Sequence, residues 1–258
     1  MTKIITVANQ KGGVGKTTTS VNLAAGLAVS EVHTLLIDMD PQANASIGCG
    51  IEYKDIEQSI YNVLVDGLDI NAINHPTEIP YLDVFPSTPQ LVGAEIEMVS
   101  MIGREIVLKK ALEQLEKEYE YIIIDCPPSL GLLTINSLTA SDSIIIPIQC
   151  EYYAMEGLGQ LLNTIRLVQR SLNRNLQIEG VLITMYDSRL RLSKEVTEQV
   201  RSHFKDKVYQ TIVRRNVRLG ESPSFGKPII LYDASAAGAQ DYMDLVGELL
   251  HNDGQTTR

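Results

Sequence analysis

Residues 9–18 read Asn-Gln-Lys-Gly-Gly-Val-Gly-Lys-Thr-Thr, directly after the apolar β-branched run Ile4-Ile5-Thr6-Val7. An amphipathic stretch opens near Lys16, so the order is strand, glycine loop, helix start. That order aims backbone N–H groups and the positive end of a helix at a polyphosphate. Gly12, Gly13 and Gly15 are expected to take up positive φ and to let phosphate oxygens approach the backbone. Lys16 supplies a point charge for the β- and γ-phosphates, and the Thr17 hydroxyl is placed to ligate Mg²⁺. The common phosphate-loop pattern has a glycine where this chain has Gln10, and here a second lysine, Lys11, precedes the glycines. Lys11 sits on the strand side of the loop, where it is useful to a second subunit docked face to face.

Around this stretch the chain alternates strand and helix patterns. Strand-like runs are Ile4–Val7, Thr34–Ile37, Leu82–Phe85, Ile122–Ile124, Ser143–Pro147, Gly180–Met185 and Val208–Ile212. Between them lie helical stretches at 17–28, 104–117, 158–172, 192–204 and 237–250. Continuous Ile/Leu/Val strands suit a mostly parallel sheet covered on both faces. The expectation is a doubly wound α/β domain over residues 1–250, with ligands at the carboxyl ends of its strands and a frayed polar tail at 251–258.

Acidic residues stand where this rule puts the chemistry. Asp125 ends an Ile-Ile-Ile run, the usual place of a carboxylate that holds Mg²⁺ through water. Asp38 and Asp40 follow the second strand within Asp-Met-Asp-Pro, a sequence that also suits a plain turn. Cys49, Cys126 and Cys150 are too few and too scattered for a disulfide framework or a zinc site. No long apolar span occurs, since Lys3, Asn9, Gln10 and Lys11 interrupt the N-terminal run.

Net charge is −10, yet its distribution is uneven. Residues 160–227 carry 13 Lys/Arg against 6 Asp/Glu, and the rest of the chain 9 against 26. One positive face on an otherwise repelling body is a footprint for phosphates. Arg189, Arg191, Arg214, Arg215 and Arg218 are its centre, and sparse aromatics favour duplex backbone contacts over base stacking.

The loop with its early lysine resembles the deviant phosphate-binding motif of the ParA/MinD family of P-loop ATPases. Leu35-Leu36-Ile37-Asp38-Met39-Asp40-Pro41-Gln42 is similar to that family's first switch, and Tyr121-Ile122-Ile123-Ile124-Asp125-Cys126-Pro127-Pro128-Ser129 to its second. Gln149-Cys150-Glu151-Tyr152-Tyr153 and Arg215-Asn216-Val217-Arg218-Leu219 point to the chromosomal ParA, or Soj, branch. The resemblance runs from Lys3 to about Leu250 and implies ATP and Mg²⁺ as cofactors. It assigns nucleotide contact to Lys11, Gly12, Gly13, Val14, Gly15, Lys16, Thr17 and Thr18, and adenine contact to the segment holding Arg214 and Asn216, where relatives usually have proline in place of Arg214. Thr17, Asp38 and Asp125 would lie at the metal, Asp40 would orient the attacking water, and Lys11 would reach across an ATP-sandwich homodimer. Lys11, Lys16 and Asp40 are thus the catalytic set, and Arg189 and Arg218 the DNA contacts.

The implied function is chromosome or plasmid partitioning. An ATP-joined dimer holds duplex DNA non-specifically in the cytoplasm, on the nucleoid, until a ParB-type protein triggers hydrolysis. Two alternatives stand beside it: a MinD-like membrane-site ATPase and a metabolic member of the superfamily. The first needs a basic amphipathic C-terminal helix, whereas Asp241, Asp244, Glu248 and Asp253 make this end acidic, so no membrane partner is expected.

Overall fold

A computed structural model describes residues 2–151 and 156–254. In chain order the strands and α-helices are β1 (Lys3–Val7), α1 (Lys16–Val29), β2 (Thr34–Asp38), α2 (Asn44–Gly48), β3 (His75–Pro76), β4 (Leu82–Phe85), α3 (Leu91–Glu97), α4 (Val107–Leu112), β5 (Tyr121–Asp125), α5 (Leu132–Ala140), β6 (Ser143–Gln149), α6 (Glu156–Ser171), β7 (Gln177–Tyr186), α7 (Arg191–Phe204), β8 (Val208–Arg214), α8 (Val217–Glu221), α9 (Ile229–Tyr232) and α10 (Ala237–Asn252). The eight strands form one sheet in the order β3-β4-β2-β5-β1-β6-β7-β8. All pairings are parallel except β3 against β4, as a doubly wound fold requires.

Strand alternation divides the core in two. Ile5, Val7, Leu36, Ile123, Ile145 and Leu182 face α1 and α10, while Ile37, Ile122, Ile124, Ile144, Ile146 and Ile183 face the other layer. Buried on both sides, these strands have no polar face, which is why they read as continuous aliphatic runs. Register then positions the site. Val7 pairs with Asp125, and Asp125 with Asp38, so the glycine loop and both acidic strand ends emerge side by side.

Two expectations are corrected, and α5 is a helix that the sequence patterns do not indicate. The helix expected over 104–117 is α only from Val107 to Leu112; beyond it the Asn71 side chain takes the Gln114 carbonyl (3.0 Å) and the Glu116 amide (2.9 Å), which ends the helix. Helix α5 has no amphipathic signature because its polar side chains are buried. Ser137 and Thr139 donate to the carbonyls of Leu133 and Ile135 at 2.9 and 2.7 Å, satisfying themselves within the helix. Fraying does not begin at Leu250. α10 continues to Asn252, and Asp253 accepts hydrogen bonds from Lys3 Nζ (2.5 Å) and the Tyr121 hydroxyl (2.6 Å).

Candidate functional site

The loop between β1 and α1 winds tightly, with Gly13 at φ 73° and Gly15 at φ 87°, the left-handed region that favours glycine. Gly12 is not in that region, so the expectation of positive φ there is corrected; a side chain at Gly12 would meet only Pro128 of the loop after β5. Gly15 caps α1, leaving the first N–H groups of a 14-residue helix turned toward the loop. Val14 is buried, and its carbonyl accepts from the Thr184 hydroxyl at 2.8 Å, which ties the loop to the end of β7. Asn9 fastens the loop's other side, donating to the Pro147 carbonyl (2.7 Å) and accepting from the Lys11 amide (3.0 Å).

Lys16 is buried, and its Nζ donates to the Lys11 carbonyl at 3.1 Å. Burial lowers its pKa, opposed by the charges of Asp125 and Asp40. Asp125 is fully buried and accepts from the hydroxyls of Thr17 (2.8 Å) and Ser20 (2.7 Å). Asp38, its register partner, accepts from the Ser46 amide and hydroxyl, both at 2.8 Å, and from the Asp40 amide at 3.1 Å. Burial raises the pKa of both carboxylates above the ordinary range, helped at Asp125 by the charge of Asp38 and at Asp38 by that of Asp40. Asp40 is almost buried and accepts from the Gln42 amide (2.9 Å) in the turn that its Asp-Met-Asp-Pro sequence suggests. Lys16, Thr17, Asp38, Asp40 and Asp125 therefore converge as the sequence indicates.

Ser20, Ser46 and Thr184 were not foreseen. A serine in a helix or turn carries no signal until its hydroxyl is seen against a carboxylate or carbonyl. Among the described residues no group of three or more His, Cys, Asp or Glu side chains is arranged to hold a metal ion. One hydroxyl beside two buried carboxylates is the donor set of a Mg²⁺ that keeps waters and substrate phosphates as its other ligands, and these residues fit it.

Lys11 points away from its own loop. Its Nζ forms an ion pair with Glu151 Oε2 at 2.7 Å, just beyond β6. Tyr152 and Tyr153, quoted above with Glu151, lie outside the described residues.

The expected adenine segment is committed elsewhere through its side chains. Arg214 gives its guanidinium to the buried Asp241 of α10 (2.5 Å) and its amide to the same carboxylate (2.9 Å). Asn216 caps α8 by accepting from the Arg218 amide at 2.8 Å. A base contact here would fall to backbone groups. α10 is also less acidic at its surface than its sequence implies: besides Asp241, Glu248 accepts from the amides of Gln210 (2.7 Å) and Thr211 (2.9 Å) on edge strand β8.

Part of the basic segment gathers in space. Arg189, Arg214 and Arg215 line one cavity of about 420 Å³ with Tyr186 and Asp187, and Arg218 lies nearby in sequence on α8. Each outer arginine has a local acid: Arg189 pairs with Asp187 (2.6 Å), Arg191 with Glu195 (2.6 Å) and Arg218 with Glu221 (3.0 Å). The Arg189 pair holds Asp187 down at about 2. No helix among the described residues is long and apolar enough to cross a membrane.

With this geometry in place, similarity to known proteins can be weighed. Residues 2–178 match the family described as AAA domain. The chain is 61% identical over 252 residues to the sporulation initiation inhibitor protein Soj of Bacillus subtilis, covering 98% of this chain and 100% of that protein. It is 56% identical to the chromosome partitioning protein ParA of Myxococcus xanthus, covering 97% of this chain and 89% of the relative. Among solved structures, a cobyrinic acid a,c-diamide synthase from Mycobacterium smegmatis with bound ATP analogue and magnesium superposes with a TM-score of 0.85 at 34% identity, covering 100% of both chains.

Proposed function

Since the chain belongs to the Soj/ParA family of chromosome-partitioning P-loop ATPases, we propose that it is a DNA-segregation ATPase acting as an ATP-joined homodimer. The dimer binds duplex DNA without sequence preference, in the cytoplasm and on the nucleoid. A ParB-type centromere-binding protein releases it by stimulating hydrolysis.

Backbone N–H groups from Gly12 to Thr18 and the start of α1 cradle the β- and γ-phosphates of ATP, with Lys16 as the buried charge beside them. Thr17, Asp38 and Asp125 would hold Mg²⁺, which would supply charge neutralisation on the transferring phosphoryl group. Asp40 orients the attacking water. Lys11 completes the neutralisation in the opposite subunit, so hydrolysis depends on dimerisation. The carrying observation is that Lys16, Asp38, Asp40 and Asp125 are buried, with the Thr17 hydroxyl on Asp125, while the Lys11 ammonium is paired with Glu151 beyond β6.

The test is turnover per subunit against protein concentration. It should rise as dimers form and fall to background in Lys11→Ala. Turnover independent of concentration and retained by Lys11→Ala overturns the two-subunit reading. The 34% identity to a cobyrinic acid a,c-diamide synthase favours a second reading, a small-substrate enzyme, which requires no response to DNA. The 61% and 56% identities to partition proteins outweigh it.

A further inference from the structure

Lys11 is held as well as placed. Glu151 Oε2 takes its Nζ at 2.7 Å, and Glu151 Oε1 accepts from Gln149 Nε2 at 2.6 Å. The Glu151 amide in turn donates to the Gln149 carbonyl at 2.8 Å, so the carboxylate is fixed at the end of β6. On the other side the Lys11 amide is bound to Asn9, which is itself bound to Pro147 of the same strand. The Lys11 carbonyl is bound to Lys16. A surface lysine with four free torsions would otherwise sample many rotamers. Here its backbone and its ammonium are fastened to one strand end, and the Lys11 and Glu151 side chains are 33% and 48% exposed, open to an arriving subunit.

We propose that Glu151 is a positioning residue that retains Lys11 in its own subunit, so that dimerisation must exchange this ion pair for the opposite subunit's phosphates. The inference rests on the reading above, in which Lys11 acts across a dimer. A state in which Lys11 is paired in its own subunit competes with the state in which it crosses. Apparent affinity between subunits is reduced by the fraction of chains whose Lys11 is released. Exposed ion pairs are weak, which suits a restraint that must yield: on the usual range for such pairs, and with one pair exchanged in each subunit, removing both should tighten dimerisation about two- to thirtyfold.

Two measurements on the full chain test this. Acylation of lysines by acetyl N-hydroxysuccinimide, read by mass spectrometry without nucleotide, should be faster at Lys11 in Glu151→Gln than in wild type, with the distant exposed Lys110 as internal reference. Gln149→Ala, which keeps the carboxylate and loosens it, should shift Lys11 in the same direction by less. Sedimentation with a non-hydrolysable ATP analogue should then show a tighter dimer for Glu151→Gln. Unchanged Lys11 reactivity overturns the proposal. So does a dimer weakened in Glu151→Gln while Lys11 reactivity rises, because Glu151 would then be supporting the dimer. A wild-type chain that stays monomeric with the analogue is a distinguishable failure, since it removes the dimer reading and the restraint together.

Discussion

Asp125 shows most plainly what metal binding must change. Two buried carboxylates in register, with only hydroxyl and amide donors of their own, have raised pKa values that favour the protonated form, through burial and through the charge of Asp38 on Asp125 and of Asp40 on Asp38. A divalent cation would displace that proton, so metal binding should release protons near neutral pH. The effect on stability has a definite sign. A carboxyl whose folded pKa is raised contributes stability that is complete below its unfolded value and lost as pH rises through the folded one. For Asp125 that window runs from the ordinary carboxylate range up to about 8. Thermal unfolding of nucleotide-free protein in EDTA should therefore show the melting temperature of Asp125→Asn gaining on wild type across that window. Parallel curves would mean that Asp125 is ionised at no cost in the free protein.

At the scale of elements, legibility followed patterning. Strands β1, β2 and β5 were readable because burial on both faces leaves long aliphatic runs, and α7 and α10 because one face is wet. Helix α5 was not, since its Thr134, Asn136, Ser137 and Thr139 are polar in sequence and buried in space. The end of α4 depends on Asn71, far away in the chain, and no local pattern reveals it. The site divides the same way. Lys16, Thr17, Asp38 and Asp125 follow from strand ends and loop chemistry, whereas the Arg214–Asp241 and Lys11–Glu151 pairs require the sheet to bring distant segments together. Tight packing between elements gives its own prediction. Gly180 in β7 lies under the ring of the buried Tyr209, and a methyl group at Gly180 would overlap that ring. Gly180→Ala should cost about 1–3 kcal/mol, the usual range for overpacking. A lowered denaturant midpoint with unchanged slope is the expected result, and a midpoint equal to wild type would show that Tyr209 moves aside freely.

For the whole molecule, the proposed DNA binding must be squared with a net charge of −10. The acidic excess lies outside residues 160–227, and within them Arg189 and Arg218 are exposed but already paired with Asp187 and Glu221. Each contact with a phosphate thus exchanges a weak local pair for a DNA phosphate and releases the counterions condensed on it. In the proposed dimer, two subunits joined by ATP would double the number of such exchanges that one subunit offers. Duplex binding should therefore need ATP, and the Asp40→Ala substitution, which keeps the joined state from hydrolysing, should prolong it. Four phosphate contacts per dimer predict a log–log salt slope of about −3.6, so a fourfold rise in salt should weaken binding by about 10²-fold. Arg189→Glu in the same background should lower the slope and the affinity while leaving ATP-dependent dimerisation intact. Binding isotherms with ATP, ADP and no nucleotide across a salt series measure slope and affinity, and sedimentation with a non-hydrolysable ATP analogue measures dimerisation. A slope near zero, or equal binding in every nucleotide state, would mean that the Asp187 and Glu221 pairs stay closed and that the basic segment is an ordinary solvated face.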